Sequence, residues 1–259
     1  MALRPDYRYT TGAPGWGRVA TADAAAVDAG LRAYMLRVYN WMASGLLLTG
    51  IVAYAIAVSP ELQAMFWQVT RNAAGYRTVS PTLLGWVAML SPLAFVLVLS
   101  FGINRLSKAT AQALFWAFAA AMGASLSNIF LRYTGASIAS TFFATAGMYA
   151  AVSLYGYTTR ADLTRMGSFM FMGLIGIIIA SLVNIFIASS ALQFAICVIG
   201  VLVFNGLTAW DTQAIKEMYV AYDDGQIAGK KAVMGALRLY LDFVNLFMML
   251  IQLLGVRRD

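Results

Sequence analysis

Residues 166–210 read MGSFMFMGLIGIIIASLVNIFIASSALQFAICVIGVLVFNGLTAW, 45 positions between Arg165 and Asp211 without a charged side chain. As one helix this stretch would run roughly 67 Å at ~1.5 Å per residue, about twice the ~30 Å hydrocarbon core of a bilayer. It therefore reads as two spans, Gly167–Ser189 and Ala191–Trp210, turning at Ser189-Ser190. Only 11% of the chain's 259 residues are charged and 61% are hydrophobic, with a mean hydropathy of +0.73. Soluble domains carry about 25% charge, so lipid is the solvent for most of this chain.

Working outward, four more apolar runs precede the pair: Val38–Val58, Thr82–Ile103, Ala109–Phe130 and Ser137–Tyr157. One follows, Ala232–Gly255, apolar except for Arg238 and Asp242. Each is near the ~20 residues a span requires, and only helices or closed barrels satisfy their backbone in lipid. The expected fold is an all-α integral membrane protein with seven transmembrane helices. Residues 31–259 form its membrane domain. Residues 1–30, with Pro5, Pro14 and Gly15, are expected to be a loose polar tail. No cleavable signal is expected, because the first apolar run starts near Val38, and that span must start insertion itself.

Basic residues mark the ends of the runs. With the N-terminus inside, inside segments hold twelve Lys and Arg, Arg32, Arg105, Arg160 and Lys216 among them, and outside segments hold five. The positive-inside bias gives a cytoplasmic N-terminus and an outside C-terminus. A re-entrant last segment would return the C-terminus inside, and the sequence leaves that open. Ser125–Phe130 (SLSNIF) echoes Ser181–Phe186 (SLVNIF), which reads either as a parallel repeat of two helices per unit or as chance similarity of apolar helices.

Several chemistries drop out. There is no histidine, which removes histidine-based acid–base catalysis, most zinc sites and histidine switches. The single cysteine, Cys197, lies in an apolar run and reads as a small hydrophobe. The net charge of +7 is a topology signal here and does not imply nucleic acid. A retinal protein needs a lysine in its last helix, and 232–256 has none. Intramembrane aspartyl proteases carry Gly-x-Gly-Asp, whereas Ala-Trp precedes Asp211 and Tyr-Leu precedes Asp242. No enzyme is expected.

The informative residues are the acids within the spans, Asp211 at the inner end of the sixth and Asp242 inside the seventh. A charge at mid-bilayer costs about 2.5–3.5 kcal/mol on insertion scales and normally has a partner. One such partner is Arg238, four residues before Asp242 on the same face. The other is the second acid. Two carboxyl groups that meet cannot both ionise cheaply, so they would share a proton and titrate as a unit. Deprotonated, they would repel and offer hard oxygen ligands to Ca²⁺, with Asn245 adding a carbonyl three residues after Asp242. The intramembrane Asn40, Asn128, Asn184 and Asn205 read as helix–helix glue. Asp223-Asp224-Gly225 reads as a solvated turn.

Four segments carry a resemblance. They are Leu31–Tyr39 (LRAYMLRVY) with Met42 and Leu48-Thr-Gly50, Ser153–Thr159 (SLYGYTT) with Asp162-Leu163, Phe204–Gln213 (FNGLTAWDTQ), and Leu239–Phe247 (LYLDFVNLF). They resemble the Bax inhibitor-1 family over residues 31–255. The resemblance implies a seven-helix bundle with the last helix surrounded by the others. It implies a pH-sensitive calcium leak channel whose aspartate pair falls on Asp211 and Asp242. It also suggests Arg105 as the arginine linked to the pair. The alanine-rich chain with its small polar tail suggests a bacterial inner membrane as the location. Calcium would be transported or transiently held, with no tightly bound cofactor. Bacterial relatives are also connected with membrane-protease regulation, so the rival reading is a regulator that binds a membrane protease or another membrane partner.

Overall fold

A computed structural model describes residues 16–71 and 77–258, the side chains of 16–26, 71 and 77 excepted. The first helix, α1 (Trp16–Val58), is followed by the short α2 (Pro60–Phe66) and a hairpin of β1 (Trp67–Arg71) and β2 (Arg77–Pro81). Then come α3 (Leu83–Gly102), α4 (Lys108–Leu126), the short α5 (Asn128–Arg132) and α6 (Gly135–Thr158). The chain ends with α7 (Thr164–Ile187), α8 (Ser190–Glu217) and α9 (Gly225–Leu254). Seven stretches are long and apolar enough to span, α4 and α5 counting together.

The expected spans recur with shifts at their ends. Helix α1 begins at Trp16, so half of the expected loose tail is helical. The alanine-rich run from Ala20 to Ala29 favours helix even where it is polar. Residues 1–15 lie outside the described residues. The expected span Ala109–Phe130 breaks at Ser127, whose hydroxyl donates back to the Ala124 carbonyl at 2.7 Å and accepts from Trp67 Nε1 at 2.7 Å. The hairpin was not expected. Its strands pair in antiparallel register, Trp67 opposite Pro81 and Val69 opposite Val79, and Trp67 is buried against the end of α4.

Entry into lipid is prepared by caps. Thr82, Ser107, Thr134, Ser189 and Asp224 each accept from a backbone N–H in the first turn of the helix that follows. These bonds satisfy donors that would otherwise be orphaned in an apolar medium. Helix α7 lacks such a cap. There the Leu163 N–H donates to Gln213 Oε1 at 2.8 Å, and Asp162 accepts from the Thr164 N–H at 2.9 Å. The far end of α7 turns through Ala188 in the left-handed region, φ 52°, and Asn184 accepts from the Ser189 N–H.

Helix α9 is the centre of the bundle. It packs on α8, α1, α6, α4 and α3, and 56% of its most apolar window is buried, against at most 39% for any other span. Leu239, Tyr240, Leu246 and Ile251 are fully enclosed. Helix α7 lies at the periphery, with Phe186 84% exposed, as a lipid-facing helix requires. The helices approach closely at small residues. A Cβ at Gly156 would run into the Ala209 backbone of α8, and one at Gly123 would meet the Thr49 carbonyl of α1.

Two end faces result. On one, Lys216 donates to the Tyr157 carbonyl (2.9 Å), Lys230 to that of Ile103 (3.3 Å) and Lys231 to that of Met218 (3.0 Å). Ammonium groups thus sit on the open carbonyl ends of α6, α3 and α8, where the helix dipole favours cations. On the other face the hairpin meets α5, with Arg132 donating to the Val79 carbonyl, and Tyr133 pairs with Arg257 of the C-terminus. Helix α9 runs between the faces without re-entering, so the C-terminus and the α8–α9 turn lie on opposite sides.

Candidate functional site

The two acids singled out in the sequence lie on the most closely packed neighbours of the bundle, α8 and α9. These helices are joined by the short turn Met218–Asp224, where Asp224 caps α9 through the N–H groups of Gln226 and Ile227. The tight turn and the approach of Gly235 to Ile215 hold the helices in one register. Asp211 is then six residues from the end of α8, and Asp242 is near the middle of α9.

The two carboxyl groups are neighbours across the α8–α9 contact. Asp242 is 6% exposed, and its Oδ2 has no hydrogen-bond donor among the described residues. Two carboxylates have no hydrogen to give each other, so the contact becomes a bond only when one of them carries a proton. An unsatisfied buried charged oxygen is costly.

Arg238 pairs differently from the sequence expectation. Its Nη1 lies 3.7 Å from Asp211 Oδ1, across the helix interface, and no ion pair with Asp242 on its own helix is found among the described residues. The side chain of Arg238 is 43% exposed against 14% for Asp211. The separation is long and the pair half-open, which makes it a weak tie. Asn245 is half-buried one turn beyond Asp242 and makes no side-chain hydrogen bond to either acid among the described residues. Arg105 is exposed in the turn between α3 and α4, where its N–H donates to the Gly102 carbonyl. It makes no ion pair among the described residues.

Buried hydroxyl groups bond one another and backbone carbonyls on the helices that carry and flank the acids, and none of them stands out on its own in the sequence. Thr212, beside Asp211, bonds Ser153 of α6 at 2.9 Å, and Ser153 bonds Tyr39 of α1 at 2.5 Å. The Tyr149 hydroxyl donates to the Leu239 carbonyl at 3.1 Å, three residues before Asp242. Thr49 donates to the Ala119 carbonyl and bonds the Tyr240 hydroxyl at 2.6 Å. One signal could have found part of this: Ser137, Thr141, Thr145, Tyr149 and Ser153 recur every four residues, along one face of α6.

As to metal, no three Asp, Glu or Cys side chains converge among the described residues. Calcium takes six to eight oxygen ligands. Two carboxylates alone fall short of a resident calcium site.

Seven membrane-length helices define a polytopic membrane protein, and two of its acids, Asp211 and Asp242, lie on adjacent helices inside the bundle where a charge is expensive. The chain belongs to the Bax inhibitor-1 family, whose profile, described as inhibitor of apoptosis-promoting Bax1, matches residues 31–259. It is 47% identical over 232 residues to the Escherichia coli inner membrane protein YbhL, covering 89% of this chain and 94% of the other. A Rickettsia prowazekii protein is 50% identical over 233 residues, with 90% and 93% covered. One from Caulobacter vibrioides is 45% identical over 250 residues, with 95% and 98% covered.

Proposed function

We propose that this protein is a calcium leak channel of the bacterial inner membrane, held closed by a proton shared between Asp211 and Asp242. The observation that carries the reading is the buried Asp242 Oδ2, which lacks a donor among the described residues while another carboxyl group is its neighbour. One proton between the two acids gives that oxygen its bond and ties α8 to α9. The family resemblance supports the same two residues, and the name of YbhL supports the location. The distribution of basic residues supports a cytoplasmic N-terminus and a cytoplasmic lysine-capped face. No enzyme activity is assigned.

The direction of the pH response follows from the proton. At low pH the shared proton is present and the helices stay joined. As pH rises the proton is lost, two adjacent carboxylates repel in a medium of low dielectric, and α8 and α9 part. The freed oxygens present a hard, doubly negative site to Ca²⁺ from the membrane interior outward. Calcium flux should therefore grow with pH.

The first test is whether purified protein passes Ca²⁺ at all. Dye-loaded proteoliposomes at about pH 8 should fill faster than empty liposomes. Equal rates would overturn the channel reading and turn attention to binding of a membrane protease or another membrane partner.

A further inference from the structure

Helices α1 and α6 scarcely touch, although both pack on α9. Between them run three cavities of about 520, 660 and 330 Å³. Ala43, Leu46 and Ala146 line both the first and the second, Gly50 and Phe142 both the second and the third, and Phe243 of α9 borders all three. They form one groove with two walls and a floor. Its rims, including Leu47 (66% exposed), Leu154 (62%) and Phe143 (73%), open sideways to the surroundings of the bundle.

The lining is apolar along nearly the whole length. Polar groups gather at one end, where Arg32, Tyr39, Ser153 and Tyr157 line the first cavity. From Arg32 to Gly50 along α1 is roughly 27 Å at ~1.5 Å per residue, close to the ~30 Å hydrocarbon thickness. The first cavity alone, from Arg32 to Leu46, covers about 21 Å of that, more than one leaflet's half.

We propose that this groove holds an acyl chain of an anionic phospholipid from the leaflet at the Arg32 end, with the lipid phosphate on the Arg32 guanidinium. The groove is cut into the membrane-spanning part of the chain, where the neighbouring medium is hydrocarbon. Water gains little from so apolar a lining. A chain lying in the groove is touched by α1, α6 and α9 together, whereas lipid against a convex helix is touched from one side, so dispersion contacts favour the groove. Charge selects the headgroup. Arg32 is exposed, makes no ion pair among the described residues, and presents a fork that fits phosphate. The Tyr39–Ser153 bond crosses the gap just inside this mouth. The proposal is independent of ion conduction.

The test is native mass spectrometry of the full-length protein in detergent, titrated with dioleoylphosphatidylglycerol or dioleoylphosphatidylcholine. The wild type should retain one phosphatidylglycerol in preference to phosphatidylcholine. Ala150→Trp fills the groove from an exposed position of its α6 wall and should weaken that binding by roughly tenfold. Ala43→Trp does the same from α1, so a folding failure of one variant leaves the other. Arg32→Gln should lower phosphatidylglycerol affinity about fivefold and phosphatidylcholine affinity by less, narrowing the preference between the two. Val183→Trp, on the exposed face of α7, should bind as the wild type does. The proposal is overturned if folded Ala150→Trp and Ala43→Trp bind lipid undiminished, or if no lipid is retained by the wild type. It is equally overturned if deleting residues 1–15 is required before lipid enters, which would assign the groove to the chain's own N-terminus.

Discussion

At the scale of single residues, the buried polar groups of this bundle act in small local sets. Thr49 joins three elements at once, bonding the Ala119 carbonyl of α4 and the Tyr240 hydroxyl of α9 from its place on α1. Thr49→Val keeps the shape and strands the Tyr240 hydroxyl in a dry core. It should cost about 1–3 kcal/mol, read as a lower Tm in detergent; an unchanged Tm would mean the hydroxyl finds another partner. Outside the membrane, Asp162 is held below its ordinary carboxylate value by the Thr164 hydroxyl and then by the Thr164 backbone N–H. A group depressed in the folded state contributes stability above its unfolded value, about pH 4, and loses that contribution as pH falls through the lower folded one. Asp162→Ala should therefore lower Tm at about pH 7 and leave it unchanged at about pH 2. A gap that persists in acid would mean the side chain acts by packing. Asp211 and Asp242 were legible in the sequence because a charge within an apolar run is conspicuous. The partner of Arg238 was not: the neighbour four residues along the same helix can be read from spacing, while Asp211 is reached only across an interface that spacing does not encode.

At the scale of helices, position is set by where small residues let backbones approach. Gly156 of α6 lies against Ala209 of α8, two residues before Asp211. Gly156→Val must push the helices apart at a cost of about 1–3 kcal/mol, and it should disturb the acid pair as well as lowering Tm. A variant with reduced Tm and a wild-type pH response would show that α6 does not hold α8 in register. The expected spans match the helices because hydropathy over ~20 residues is a strong signal. Their ends were less legible, since α1 extends outward through an alanine-rich polar run and α4 stops at a serine that turns its hydroxyl on its own backbone. The hairpin escaped because Trp67–Arg71 and Arg77–Pro81 are short strands between strong helical signals, and only their alternation marks them.

For the whole molecule, seven crossings put the lysine-capped face and the C-terminal face on opposite sides. In a Cys197→Ala background, Tyr222→Cys and Arg258→Cys each place a thiol at an exposed site, one per face. An impermeant maleimide added to right-side-out membranes should label Arg258→Cys alone, and Tyr222→Cys only after lysis. The reverse pattern would invert the assigned orientation, and labelling of both from outside would contradict seven crossings. The central claim concerns the proton between α8 and α9, and pH-resolved Ca²⁺ flux tests it most directly. Dye-loaded proteoliposomes would be followed from about pH 6 to about pH 8 for the wild type and for Asp211→Asn combined with Asp242→Asn. The account predicts flux that climbs with pH in the wild type and a flat profile in the double variant. Flux that climbs equally in both would contradict it.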